Sequence, residues 1–229
     1  MTPIPGSDHR TECIRCGECC LRSSPSLQVT DISRVINGPI RRSDLYTLRV
    51  GELVRDNIQG GLKRTEEELI KVRERKETGA CIFYDDPGKQ CTLYEHRPIQ
   101  CAAMKCWDER DFMQVYREPK AHRRDLIHDG NLVRLMASHE ERCGYALLER
   151  NVRDIETMGE KAVKKILAIL KVDHDIRSLT QEKLGIHSDD LDLIFGRPLI
   201  KTISMFGLKV VQEPDGPFFL TVSDSFPHP

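Results

Sequence analysis

Cys13, Cys16, Cys19 and Cys20 fall within eight consecutive residues, Cys13-Ile-Arg-Cys16-Gly-Glu-Cys19-Cys20. Two residues between cysteines let a tight turn aim two sulfurs at one ion, and Gly17 eases the backbone into that turn. Cys19 continues the spacing, so three thiolates can face one cluster while a fourth arrives from elsewhere, as in many iron–sulfur proteins. Side chains of adjacent residues tend to point apart. Cys19 and Cys20 are therefore expected to serve different metals, or one of them does not ligate.

A second set follows: Cys81, Cys91, Cys101 and Cys106. Nine residues separate Cys81 from Cys91 and Cys91 from Cys101, and four separate Cys101 from Cys106. A zinc ribbon would need a second C-x2-C pair, which this set lacks. Two β-prone runs, 81–84 and 91–94, flank the turn signal Asp85-Asp-Pro-Gly88, which predicts a hairpin that brings Cys81 and Cys91 together. Arg97-Pro98 fits the start of a helix, with proline in its first turn, and folds Cys101 back. All eight cysteines are candidate metal ligands. Inert core thiols are the competing reading for the second set, whose spacings are individually unremarkable, but four cysteines in eight residues resist it. Arg15, Arg22, Lys89, Arg97 and Lys105 lie near these thiols and would offset the charge of a thiolate site. In so charged a chain each also reads as a solvated surface residue; Arg97, beside the turn, is the one expected next to the ligands. Trp107 is expected to keep water from Cys106.

The pattern C-x2-C-x2-C-C, then C-x-x-Tyr, then C-x-Leu-Tyr-x-x-Arg-Pro-x-x-C resembles the YkgJ-type cysteine-cluster family. The matching residues are Cys13, Cys16, Gly17, Cys19, Cys20, Cys81, Cys91, Tyr94, Arg97, Pro98 and Cys101, over roughly 10–108. The resemblance implies a zinc- or iron-chelating domain, and members often carry the label Fe–S oxidoreductase by inference. Cys106-Trp107-Asp108 looks like an extension found in a subset of the family. Residues 109–229 carry no assignable motif.

The elements that must position these thiols follow from the rest of the chain. It has 229 residues, 39% hydrophobic and 31% charged, the balance of a folded chain with a wet surface. Thr30 is expected to cap a short helix over 31–36, with Asn37-Gly38-Pro39 as its stop. The runs 45–50 and 53–55 flank Gly51-Glu52 and predict a hairpin. Residues 66–75 suit a helix or a strand equally. Asp108 can cap a helix through Tyr116. Ser138 and Glu141 have the spacing of a capping box. From Leu148 to Leu170, apolar residues recur every three to four positions with one gap at Gly159, which predicts a long amphipathic helix. Thr180 and Ser188 read as caps of two further helices, and the runs 205–211 and 218–222 flank Glu213-Pro-Asp-Gly-Pro217 as a β-hairpin. The fold class is α+β: a small, irregular cysteine-rich region with short hairpins and helices over 1–108, a mainly helical part over 109–196, and a C-terminal β-hairpin tail over 197–229.

His139 and Cys143 are four apart and share a helix face, where they would add ligands. Leu132, Leu135, Met136 and Leu147 continue the same stripe, so a core role explains the pair without a metal. His122, His128, His174 and His187 show no ligand spacing. Asp189, Asp190 and Asp192 suit a helix start, where carboxylates favour the dipole. No phosphate loop, nucleophile elbow or H-E-x-x-H occurs.

The formal net charge of -1 gives no support for nucleic-acid binding. No stretch reaches the roughly 18 apolar residues of a membrane helix, and the N-terminus lacks an export signal, so a cytoplasmic location is expected. There thiols stay reduced, and nine cysteines cannot all pair within one chain. The functional expectation is a metal-binding protein carrying an iron–sulfur cluster, 4Fe–4S being favoured by the thiolate-only pool and the three-cysteine run, with electron transfer or part of an oxidoreductase as its role. The alternative is a zinc module that is structural or handles metal without catalysis. A thiol–disulfide protein ranks below both, because no βαβ context surrounds the cysteines. The helical part is available to dock a protein partner or cover the metal region.

Overall fold

A computed structural model describes residues 11, 13–56, 58–212 and 218–223. The first elements are helices α1 (Glu18–Arg22) and α2 (Ile32–Ile36), then strands β1 (Leu45–Leu48), β2 (Leu53–Arg55), β3 (Leu62–Arg64), β4 (Leu69–Val72), β5 (Tyr84–Asp85) and β6 (Gln90–Cys91). Nine helices follow: α3 (Ile99–Ala103), α4 (Arg110–Tyr116), α5 (Arg123–Leu126), α6 (Gly130–Cys143), α7 (Tyr145–Arg153), α8 (Ile155–Met158), α9 (Glu160–Leu184), α10 (Leu191–Phe195) and α11 (Leu199–Thr202). Strands β7 (Leu208–Gln212) and β8 (Phe218–Val222) end the order. The mixture of short antiparallel pairs, a helical middle and a terminal hairpin is the α+β class expected. No helix among the described residues is long and apolar enough to cross a membrane.

The chain divides into two compact units, one of residues 1–47 and 68–128, the other of 48–67 and 129–229. The first is built of short pieces. Strand β1 is buried along its whole length and pairs with β4, whose residues alternate between half-buried and buried. That settles 66–75 in favour of a strand. Apolar contacts here come from Leu27, Ile40, Leu45, Ile70, Leu126 and Ile127, each nearly or fully buried. Helix α2 forms where expected, but Thr30 does not cap it. Thr30 sits inside a 3-10 turn over Val29–Asp31, and the Asp31 carboxylate accepts the Gln28 N–H at 3.0 Å instead.

In the second unit β2 pairs with β3, with Leu53 opposite Arg64. The hairpin expected across Gly51-Glu52 does not form as a strand pair. A turn is present, since the Glu52 N–H reaches the Arg49 carbonyl at 3.0 Å. The groups that follow it are taken by another segment: Gly51 donates to Thr65 at 2.8 Å and Thr65 donates to Glu52 at 2.9 Å. Hydrogen-bond demand thus turns the chain toward β3 instead of back along β1.

Helix α6 begins at Asp129, whose side chain accepts the N–H groups of Asn131 and Leu132 at 2.9 Å. Ser138 lies mid-helix, so the capping box expected there is not one. The long amphipathic run is three helices, α7 to α9. The gap at Gly159 is a true break with φ of 52°, a conformation that costs glycine little. Thr180 bonds back to the Ile176 carbonyl at 2.7 Å within α9 and caps nothing. Ser188 opens a 3-10 turn that leads into α10. Cys143, Tyr145, Leu148, Ile166, Ile169, Leu170, Leu199 and Ile203 form one buried apolar cluster. Strands β7 and β8 pair antiparallel, Leu208 opposite Val222, while the turn expected at 213–217 lies outside the described residues.

Beside that apolar cluster runs a buried polar network. Asp173 accepts from His139 Nε2 at 2.7 Å, Arg177 Nε at 3.0 Å and the Leu199 N–H at 2.9 Å. Arg49, wholly buried, donates to the Cys143 carbonyl at 3.2 Å. His139 and Cys143 are fully buried and belong to this core, as their stripe suggested. Burial would raise the Asp173 carboxyl, but the His139 hydrogen bond and the Arg177 cation pull it down to about 2. Burial pushes the His139 imidazole below its ordinary value, so it stays neutral and donates through Nε2.

Candidate metal centre

The cysteines of the first unit reach their places through four local devices. The first is Gly17, which precedes α1 with φ of 78°; a side chain there would put Cβ 2.2 Å from Tyr84 Cε2. Only glycine meets both demands. The Gly17 carbonyl accepts the N–H of Cys20 at 2.8 Å, starting a helical turn that holds Cys19 and Cys20. Their sulfurs lie 4.0 Å apart and share a hydrogen bond. They approach each other where adjacent side chains were expected to point apart.

The second device is a backbone tie: the Cys81 N–H donates to the Cys20 carbonyl at 2.8 Å. The third is the β5–β6 hairpin, where Tyr84 lies opposite Cys91. It is shorter than the two runs predicted but occupies the expected place. The fourth is α3, which starts after Pro98 as expected and carries Cys101.

Carboxylates and an amide that cysteine spacing could not reveal brace these pieces. Glu74 bridges Cys81 through its backbone, and its side chain accepts the Ser24 N–H at 3.0 Å and Lys71 Nζ at 2.9 Å. Asp31, fully buried, accepts the Ile99 N–H at the start of α3 at 2.9 Å. Gln100 accepts the Ser26 N–H at 2.9 Å. Each fixes a segment that carries a cysteine, and of the three only Gln100 stands beside one in sequence.

The thiols sense one another. Cys19, Cys20, Cys81, Cys91 and Cys101 lie within mutual electrostatic reach. The hydrogen bond from Cys20 lowers Cys19 to about 6, and the same bond raises Cys20. Burial pushes Cys81 up to about 11 and raises Cys91, and burial with the neighbouring thiolates lifts Cys101 well above its ordinary value. A cation among these sulfurs reverses that logic, because it favours every thiolate at once. The donor chemistry therefore fits a thiophilic metal.

Cys16 is half-buried and lies within electrostatic reach of Tyr84. Cys13 is exposed, and Cys106 is half-buried in the turn bridged by Lys105 and Asp108. Trp107 is half-buried beside it. Among the described residues no three Cys, His, Asp or Glu side chains stand in a formed metal-ligand sphere. The structure thus gathers five of the eight candidate cysteines without closing a coordination shell. His139 and Cys143 belong to the second unit's core. Asp189 and Asp190 lie in the Ser188–Asp190 turn and Asp192 faces Arg177 at 3.5 Å, in keeping with a local role.

No curated protein and no solved structure matches the chain. A family model does match, over residues 12–120: CxxCxxCC, described as a "putative zinc- or iron-chelating domain". Its bounds enclose all eight cysteines of the two sets, so the family resemblance carried by their spacing holds over residues 12–120.

Proposed function

We propose that the chain holds an iron–sulfur cluster, 4Fe–4S in type, on thiolates drawn from Cys13, Cys16, Cys19, Cys20, Cys81, Cys91, Cys101 and Cys106. The observation that carries this is the convergence of Cys19, Cys20, Cys81, Cys91 and Cys101 from four separate elements of one unit. An all-thiolate donor pool suits iron–sulfur clusters and zinc among the common metals, and the C-x2-C-x2-C run suits a cluster. A bound cluster supplies one-electron transfer. The chain's own residues hold the sulfurs, and Trp107 and the hairpin limit water around them.

Zinc is the second reading. It is favoured by the brevity of the elements around the cysteines, strands of two residues and helices of five, which structural zinc commonly holds together. In that reading the domain binds or hands on metal without catalysis. Anaerobic purification followed by metal and acid-labile sulfide analysis separates the two. A brown protein with iron and sulfide in equal amounts supports the cluster, and a colourless one with stoichiometric zinc supports the module. A protein with neither metal, and that takes up neither on reconstitution, ends both.

A further inference from the structure

Arg15 and Arg97 both belong to the cysteine-bearing unit. Arg15 lies in the first C-x2-C turn, held at a positive φ of 57°, which is costly for a residue with a side chain. Arg97 lies just before α3. Each guanidinium carbon stands 4.0 Å from the centroid of the Tyr94 ring. Two guanidinium groups cannot share one face at that distance, so the ring is clamped between them. Arg97 Nη1 donates to the Tyr94 carbonyl at 3.3 Å, while its Nε is buried and finds no partner among the described residues. Neither arginine forms an ion pair with a carboxylate among the described residues. The buried Nε–H left over on Arg97 calls for an acceptor. The thiols of Cys19 and Cys91 lie within electrostatic reach of Arg97, and a bound metal would make them thiolates.

Resting on the metal reading above, we propose that Arg97 is a positioning residue of the metal centre: its Nε–H donates to a metal-bound thiolate, Cys19 or Cys91, and the Arg15–Tyr94–Arg97 stack fastens the Cys13–Cys16 turn to the rest of the site. The hydrogen bond fixes the sulfur's direction and removes part of the negative charge that several thiolates bring to one metal. The stack explains why Arg15 keeps its strained backbone. It also couples the two cysteine sets, because breaking the ring contact frees the turn that holds Cys13 and Cys16.

The test loads the full-length reduced chain with zinc alone and measures affinity by competition with a chelator. Cobalt alone then serves as a spectroscopic probe of the thiolate shell. The variants are Arg97→Gln, Arg97→Lys, Tyr94→Phe and Tyr94→Leu. Arg97→Gln and Tyr94→Leu should each weaken zinc binding about 10–100-fold, the usual loss when a group that orients a ligand is removed. Arg97→Lys keeps the charge but not the fork, and should shift the thiolate-to-cobalt absorption while far-ultraviolet circular dichroism stays as in the parent. Tyr94→Phe keeps the ring and should match the parent, which shows that the stack and not the hydroxyl matters. Should Arg97→Gln fail to fold, the Tyr94→Phe and Tyr94→Leu pair still decides. Unchanged affinity and cobalt spectrum in Arg97→Lys and Tyr94→Leu, with a parent that loads normally, overturns the proposal and leaves the metal reading intact. A parent that takes up neither metal overturns both.

Discussion

The two units solve the stability problem in opposite ways. The second unit has a 25-residue helix, a continuous apolar cluster and a buried ion network in which Asp173 serves three donors. It has enough apolar burial to fold on familiar terms. The first unit has strands of two to four residues and helices of four to seven, tied by Asp31, Glu74 and Gln100 and studded with thiols. Elements so short bring little cooperative strength of their own. The contrast teaches that polar braces, more than long elements, set where the sulfurs of the first unit sit.

The sharpest way to break this comparison is to strip the metal. Chelation should abolish amide hydrogen-exchange protection in β5, β6 and α3 while α6 and α9 keep theirs. For a zinc occupant the lost term is about 10–16 kcal/mol of apparent binding free energy; equal protection in both units before and after would erase the distinction. Next in size is Asp173→Ala, which leaves His139 buried without its acceptor and takes one carboxylate from the buried Arg177. It should cost the second unit about 3–5 kcal/mol in denaturant unfolding and leave metal content untouched. Leu148→Ala, at a fully buried site in the apolar cluster, should cost about 2–5 kcal/mol with the same indifference to metal. Gly17→Ala should do the reverse. Forcing an alanine to a positive φ and into the Tyr84 ring costs about 2–4 kcal/mol locally, and metal stoichiometry, read by elemental analysis, should fall.

The smallest effect is on pH, and it belongs to the second unit. His139 is depressed in the folded chain, so the unfolded chain takes its proton first and stability begins to fall as pH drops below about 6.5. Asp173 is depressed as well, from 3.8 to about 2. Its contribution, about 2 kcal/mol, is complete above pH 4 and drains away between pH 4 and 2. The melting temperature of α6 and α9 should therefore decline in two stages on acidification, and His139→Phe should remove the upper stage and shrink the lower one, because it also takes away the hydrogen bond that helps hold Asp173 down. A single stage, or a rise in stability toward acid, would contradict the neutral His139 assigned here.

Much of the cysteine-bearing hairpin was legible because its turn chemistry is local: Asp85-Asp-Pro-Gly88 and Arg97-Pro98 specify their bends without help. The same holds for β7 and β8. Helix starts were misread at Thr30, Ser138 and Thr180, where a plausible capping residue was outbid by a carboxylate or by the helix's own carbonyls. The partner of β1 was illegible, since the choice between β2 and β4 depends on hydrogen-bond demand twenty residues away at Thr65 and Leu69. Within the site, the thiols announced themselves by spacing. Glu74, Asp31 and the Tyr94 clamp did not, because their roles depend on distant segments meeting.

The detour of residues 48–67 has a consequence for biosynthesis. During translation β2 and β3 leave the ribosome well before α6 to α11 exist, yet they share a unit with those helices. The hairpin must wait, solvated and unsupported, while the cysteine-rich segment emerges behind it. Metal capture by the nascent chain can therefore precede completion of the C-terminal helices, and no single cut of the backbone can release one unit whole from the other.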